Sequence, residues 1–134
     1  MKKDILVIDD SSSWISFHIE KINLIFPNNI NRLDFGYSAK DGLRLAKQNK
    51  YDLILTDLQM ELDFLPKTAG EWFINQIKIS ETKNKNTDII IISASYNIET
   101  IAKNFNLKYI HKKDAVNNFN VYKKVLSEVI RDHN

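Results

Sequence analysis

Several charged and hydroxyl side chains stand directly behind short apolar runs. Ile5 to Ile8 lead straight into Asp9 and Asp10. Leu53 to Leu55 lead into Thr56 and Asp57, Ile89 to Ile92 into Ser93, Ala94 and Ser95, and Ile110 into His111, Lys112 and Lys113. If these ends converge, three carboxylates, a hydroxyl and an ammonium share one place. Adjacent carboxylates repel each other and call for a cation, and hard oxygen ligands with room for water suit Mg²⁺. A carboxylate beside such a cation can act as a nucleophile and become an aspartyl-phosphate. The transferring phosphoryl group spreads negative charge over its oxygens, so a lysine and a hydroxyl nearby would complete the chemistry. Taken alone, Asp9 and Asp10 have a simpler use, because an aspartate at a strand end can cap the next helix. Alongside Asp57, Ser93 and Lys112, the cation-binding use accounts for more of the pattern.

Convergence depends on the elements that carry these residues. The runs 4–9, 51–57, 87–93 and 107–112 are β-branched or leucine-rich, as expected of strands buried on both faces of a parallel sheet. A weaker run, 31–37, reads as an edge strand. Helical spacing predicts helices over 13–26, 39–49, 69–79, 97–105 and 118–130. In the first, Trp14, Phe17, Ile22 and Leu24 to Phe26 form an apolar face closed by Pro27; in the last, Val121, Val125, Leu126 and Val129 form a stripe. Five β-α units imply an α/β fold, a doubly wound parallel sheet with helices on both faces. Such sheets bind ligands at the carboxyl ends of their strands, at the point where strand order reverses, and the polar residues above lie at those ends.

The 134 residues predict one domain over 1–134. The last predicted helix nearly reaches the final residue, so a single-domain form is expected. A net charge of +2 offers no argument for nucleic acid or a membrane as partner. The absence of cysteine excludes disulfides and thiolate metal sites. No apolar run approaches the roughly 18 residues of a membrane span, and Asp9 cuts short the one behind the basic N-terminus. A cytoplasmic protein is expected. Trp14 and Trp72 read as helix-face residues, His111 as structural or exposed, and the lysines of 78–86 as a solvated face and loop.

The pieces "VIDDS", "DLILTDLQM", "IIISAS" and "YIHKKD", in this order on a five-fold β-α frame, resemble the receiver domain of two-component response regulators, of the chemotaxis-regulator type. The resemblance covers the whole chain. It implies a flavodoxin-like (βα)5 fold with strand order 2-1-3-4-5. It further implies that Asp57 is the phosphoacceptor. The magnesium ligands would be Asp10 directly, Asp9 partly through water, Asp57, and the backbone carbonyl of Gln59. Ser93 would contact the phosphoryl group, and Lys112, three residues after the aromatic Tyr109, would be the lysine that assists transfer. Ser93 and Tyr109 would form the switch, while Gln59 and Ser95 would tune dephosphorylation. The implied donor is a sensor histidine kinase or histidine phosphotransfer protein. An unidentified downstream protein would read the face made by the fourth helix, fifth strand and fifth helix. Such a domain supplies groups for its own phosphorylation without being a conventional enzyme.

Two departures stand out. The family usually reads Lys-Pro after strand five, with a cis peptide, whereas this chain reads Lys112-Lys113; a non-proline cis bond costs about 2.5–4 kcal/mol, so the loop is either trans and differently shaped or strained. After Asp57, Glu61 stands where proline is usual, and Gly70 arrives about five residues late in an insertion spanning 61–69. That insertion is expected to be a longer surface loop or a lid or docking element beside the site. The alternative function is a pseudo-receiver that binds a partner without phosphorylation. A haloacid-dehalogenase-like phosphatase is excluded, because it needs its two acids two residues apart and Ser11 is not acidic.

Overall fold

The computed structural model describes residues 2–61, 67–79 and 81–131. The elements run β1 (Lys3–Ile8), α1 (Ser12–Ile25), β2 (Ile30–Gly36), α2 (Ala39–Gln48), β3 (Leu53–Thr56), α3 (Ala69–Ile79), β4 (Asp88–Ser93), α4 (Ile98–Phe105), β5 (Lys108–His111), α5 (Lys112–Asn117) and α6 (Phe119–Arg131). The five strands form one parallel sheet in the order β2-β1-β3-β4-β5. This is the flavodoxin-like doubly wound arrangement expected from the sequence, with the weak run 31–37 at one edge as β2. Strand order reverses between β1 and β3, which places the switch point beside Asp9 and Asp57.

Alternate side chains of each strand point to opposite faces, so the sheet separates two cores. Leu6, Ile8, Ile54, Ile89 and Ile91 pack on one face against α2, α3 and α4, chiefly through Leu43, Phe73, Ile74, Ile77 and Ile101. Ile5, Val7, Leu53, Leu55, Ile90, Ile92 and Ile110 pack on the other, against Ile15 and Ile22 of α1, Ala115 of α5, and Tyr122, Leu126 and Val129 of α6. The continuous apolar runs are therefore the expected consequence of burial on both sides.

The structure departs from the sequence reading just after the last strand and within the first helix. The chain leaves β5 directly into the short helix α5, which periodicity did not distinguish from a loop. His111 caps it, its Nδ1 accepting from the Lys113 N–H at 3.0 Å, so His111 is structural. The turn that carries Lys-Pro in the resembled family is here a capped helix start at Lys112. In α1 the buried residues are Ile15, His18 and Ile22, and Leu24, expected on the apolar face, is exposed.

Two local devices fix the chain around the insertion. Thr68 and Glu71 form a reciprocal cap at the start of α3: the Thr68 N–H donates to Glu71 Oε2 at 2.8 Å and the Glu71 N–H to Thr68 Oγ1 at 3.2 Å. Glu61, in the place of the usual proline, accepts from the Ala39 N–H at 2.8 Å and the Lys40 N–H at 3.5 Å. That binds the segment after β3 to the amino-terminal end of α2, where the helix dipole favours a carboxylate. Leu62, Phe64 and Leu65, the apolar residues of the expected lid or docking element, lie outside the described residues.

Candidate functional site at the carboxyl ends of the strands

The register that pairs Ile8 with Thr56 brings the next residue of each strand, Asp9 and Asp57, to the same edge. Both are almost fully buried, at 1% and 5% exposure, while Asp10 faces outward. Carboxylate oxygens of Asp9, Asp10 and Asp57 all lie within 4.8 Å of one another. Gly70 helps hold this edge. Its amide donates to the Leu58 carbonyl at 2.9 Å, and a Cβ there would collide with the Asp57 carbonyl oxygen and come within 2.6 Å of Leu58 Cα. Only glycine lets α3 approach the backbone of Asp57 this closely.

The two buried carboxylates are oriented. Asp57 Oδ1 accepts from the Leu58 N–H at 2.6 Å and more weakly from the Gln59 N–H at 3.4 Å. Asp9 Oδ1 accepts from the Ser11 N–H at 2.9 Å, and the Ser11 hydroxyl in turn accepts from the Trp14 N–H at 3.3 Å as the N-cap of α1. Asp9 thus takes part in starting the helix as well as in the acidic cluster. From the far side Lys112 reaches in, its ammonium donating to Asp57 Oδ2 at 2.8 Å and standing 2.9 Å from Asp9 Oδ2. Burial raises the pKa of Asp9, against the bonds from Lys112 and the Ser11 amide. Burial works to lower the pKa of Lys112, but its bonds to Asp57 and Asp9 outweigh that and leave it raised.

One ammonium therefore faces three carboxylates. The donor set is all oxygen, and Asp10 on the exposed side leaves room for water, which fits a small hard cation such as Mg²⁺. Gln59 follows Asp57 at the rim and is exposed. Ser93 ends β4 fully buried, paired in register with His111, one residue before Lys112. Its hydroxyl lies 3.1 Å from that of Ser95 and accepts from the Ser95 N–H at 3.2 Å. Tyr109 on β5 is 37% exposed. The residues singled out from sequence thus gather at one rim, with Tyr109 on the flank.

Sequence reasoning missed what lies behind Lys112. Its ammonium stands 4.8 Å from the centre of the Trp14 ring. Trp14 packs on Phe17 and His18, and His18 Nδ1 lies 2.8 Å from the Tyr122 hydroxyl. Burial, with the Lys112 charge adding to it, lowers the His18 pKa to about 3, so this imidazole is neutral. The available signal was the spacing of Trp14, His18 and Ile22, which sets a histidine on the stripe that must be buried.

No family model matches the chain. Over 90 residues it is 36% identical to the response regulator ArlR of Staphylococcus saprophyticus, an alignment spanning 67% of this chain and 35% of that protein. This chain is a response-regulator receiver domain. Solved structures agree in fold. The chemotaxis response regulator CheY4 of Vibrio cholerae matches with a TM-score of 0.73 at 17% identity, over 96% of this chain and 99% of that one. The response regulator TrrA of Thermotoga maritima, solved in complex with Mg²⁺ and BeF, matches with a TM-score of 0.74 at 21% identity, over 96% and 99%. The receiver domain of the Francisella response regulator 1452 matches with a TM-score of 0.69 at 22% identity, over 99% and 100%. The receiver aligns with about a third of its curated relative. Among its described residues, no helix is long and apolar enough to cross a membrane.

Proposed function

We propose that this receiver accepts a phosphoryl group from a phosphohistidine, on a sensor kinase or a phosphotransfer protein, onto Asp57 in a Mg²⁺-dependent reaction. The observation that carries this reading is the placement of the Lys112 ammonium between Asp57 and Asp9, at 2.8 and 2.9 Å, with Asp10 beside them. An Asp57 oxygen attacks the phosphorus, the P–N bond breaks, and the imidazole nitrogen leaves and takes up a proton. Magnesium held by Asp9, Asp10, Asp57 and the Gln59 carbonyl would neutralise charge on the phosphoryl oxygens. Lys112, already at the carboxylate, follows the charge onto the transferred group. The Ser93 hydroxyl would turn from Ser95 toward the phosphoryl group. Later, water attacks the phosphorus, the bond to Asp57 breaks, and inorganic phosphate leaves, with Gln59 and Ser95 tuning the rate. The domain is consumed as a substrate and is not a conventional enzyme.

The movement of Ser93 would draw in the segment after β4 and bring Tyr109 from its exposed position, changing the α4–β5–α6 face for a downstream protein. A kinase partner of this kind places the receiver in the cytoplasm. The test is intact mass after incubation with Mg²⁺ and acetyl phosphate. A gain of one phosphoryl group in the wild type, lost in Asp57→Ala, is expected. No gain, or a gain that survives Asp57→Ala, would sink the acceptor reading and favour phosphorylation-independent binding.

A further inference from the structure

Lys112 ends a four-carbon stem that is flexible by nature, and it springs from the first residue of the six-residue helix α5. Its two carboxylate partners aim the ammonium only while both remain charged and free. Once Asp57 carries a phosphoryl group or Asp9 takes a cation, those contacts weaken. Trp14 is the neighbour that does not change. Its ring centre lies 4.8 Å from Nζ, within the range at which an indole face attracts an ammonium.

Trp14 is itself held from several sides. Its backbone N–H is bound by the N-cap Ser11, whose own N–H is bound by Asp9. Its ring lies 4.9 Å from Phe17 and 5.8 Å from His18 between ring centres, and both of these pack on Tyr122 of α6. His18, neutral and bonded to Tyr122, adds no competing charge beneath the indole.

We propose that Trp14 is a positioning residue for Lys112: its indole face keeps the ammonium aimed at the acceptor oxygen and speeds phosphoryl uptake. This inference rests on the reading of Asp57 as acceptor. Trp14→Phe and Trp14→Tyr keep a π face and should take up phosphoryl from acetyl phosphate within about threefold of the wild-type rate. Trp14→Leu keeps apolar bulk without that face, and uptake should slow by about tenfold, the rate equivalent of about 1.4 kcal/mol. Mg²⁺ affinity, measured separately by titration, should stay unchanged. Trp14→Met provides a second apolar variant if Trp14→Leu lowers stability.

NMR of the Lys112 ε-methylene supplies a readout that does not depend on phosphorylation. Its protons should show a ring-current shift and an ordered side chain in the wild type and Trp14→Phe, both lost in Trp14→Leu and Trp14→Met. Wild-type uptake in the apolar variants, or equal slowing in Trp14→Phe, overturns the proposal. If the wild type takes up no phosphoryl group, the acceptor reading fails by mass. The methylene signal then decides the positioning separately, and an unchanged signal in the apolar variants overturns it.

Discussion

At the amino-terminal rim of the sheet, Asn84 is fully buried and satisfied on every side. Its amide donates to the carbonyls of Ala46 and Asn49 at 2.6 and 2.7 Å, and its oxygen accepts from the Tyr51 N–H at 2.8 Å and the Thr87 hydroxyl at 2.9 Å. At the carboxyl-terminal rim, Asp9 and Asp57 share the ammonium of Lys112, with the Asp10 carboxylate clustered beside them. Hydrogen bonding is complete at both ends, since among the described residues no buried side-chain nitrogen or oxygen lacks a partner. Charge is what differs. A neutral amide that meets its full complement closes a structure. Three negative groups against one positive group leave an imbalance that a dication or a transferred group can exploit.

The strongest way to break this comparison is at Asn84. Asn84→Ala strands several buried backbone and hydroxyl groups at once, and it should cost about 3–5 kcal/mol in urea unfolding. Mg²⁺ affinity of the folded fraction should stay the same. A parallel loss of Mg²⁺ binding would show that the two rims are coupled.

A smaller effect is expected at the acidic rim. Mg²⁺ at a hundredfold excess over its dissociation constant should stabilise the wild type by about 2.7 kcal/mol, and chelation should remove that gain. Asp10→Ala should abolish most of the gain while leaving the metal-free protein as stable as the wild type, or slightly more so, because one repulsive charge is gone. Thermal unfolding with and without Mg²⁺ decides it; an undiminished metal effect in Asp10→Ala would remove Asp10 from the ligand set.

The smallest effect concerns His18, under the charged rim. Its folded pKa is lowered to about 3 from the ordinary 6.5. The unfolded chain therefore binds the proton first, so the stability tied to neutral His18 is complete above about pH 6.5 and is lost as pH falls toward 3. From pH 7 to pH 5 this amounts to roughly 2 kcal/mol. His18→Gln keeps a partner for Tyr122 without a titrating ring and should flatten that slope by the same amount. Equal slopes in wild type and variant would mean that His18 opens to solvent and protonates in the folded protein.

Legibility followed the physics of each feature. The strands were readable because burial on both faces demands unbroken apolar runs such as Ile89 to Ile92. The acidic site was readable because each of its residues lies within two positions of the end of such a run. Asn84 was not: within the lysine-rich stretch 78–86 nothing distinguishes it from its exposed neighbours Lys83 and Lys85. Three of its four partners, Ala46, Asn49 and Tyr51, are backbone groups far off in the sequence and leave no local pattern; the fourth is the nearby Thr87 hydroxyl. Helix α5 was invisible for a similar reason, since six residues are too few for a period to register.

The sequence by itself determined the order of the elements, the parallel sheet and the residues at its carboxyl ends, because these follow from local periodicity and from the rules of right-handed connection. The tertiary structure alone decided the charge balance at the rim and the company that Lys112 keeps. Trp14 and Lys112 stand on α1 and α5, far apart in the chain, and their approach depends on how those helices close over one face of the sheet.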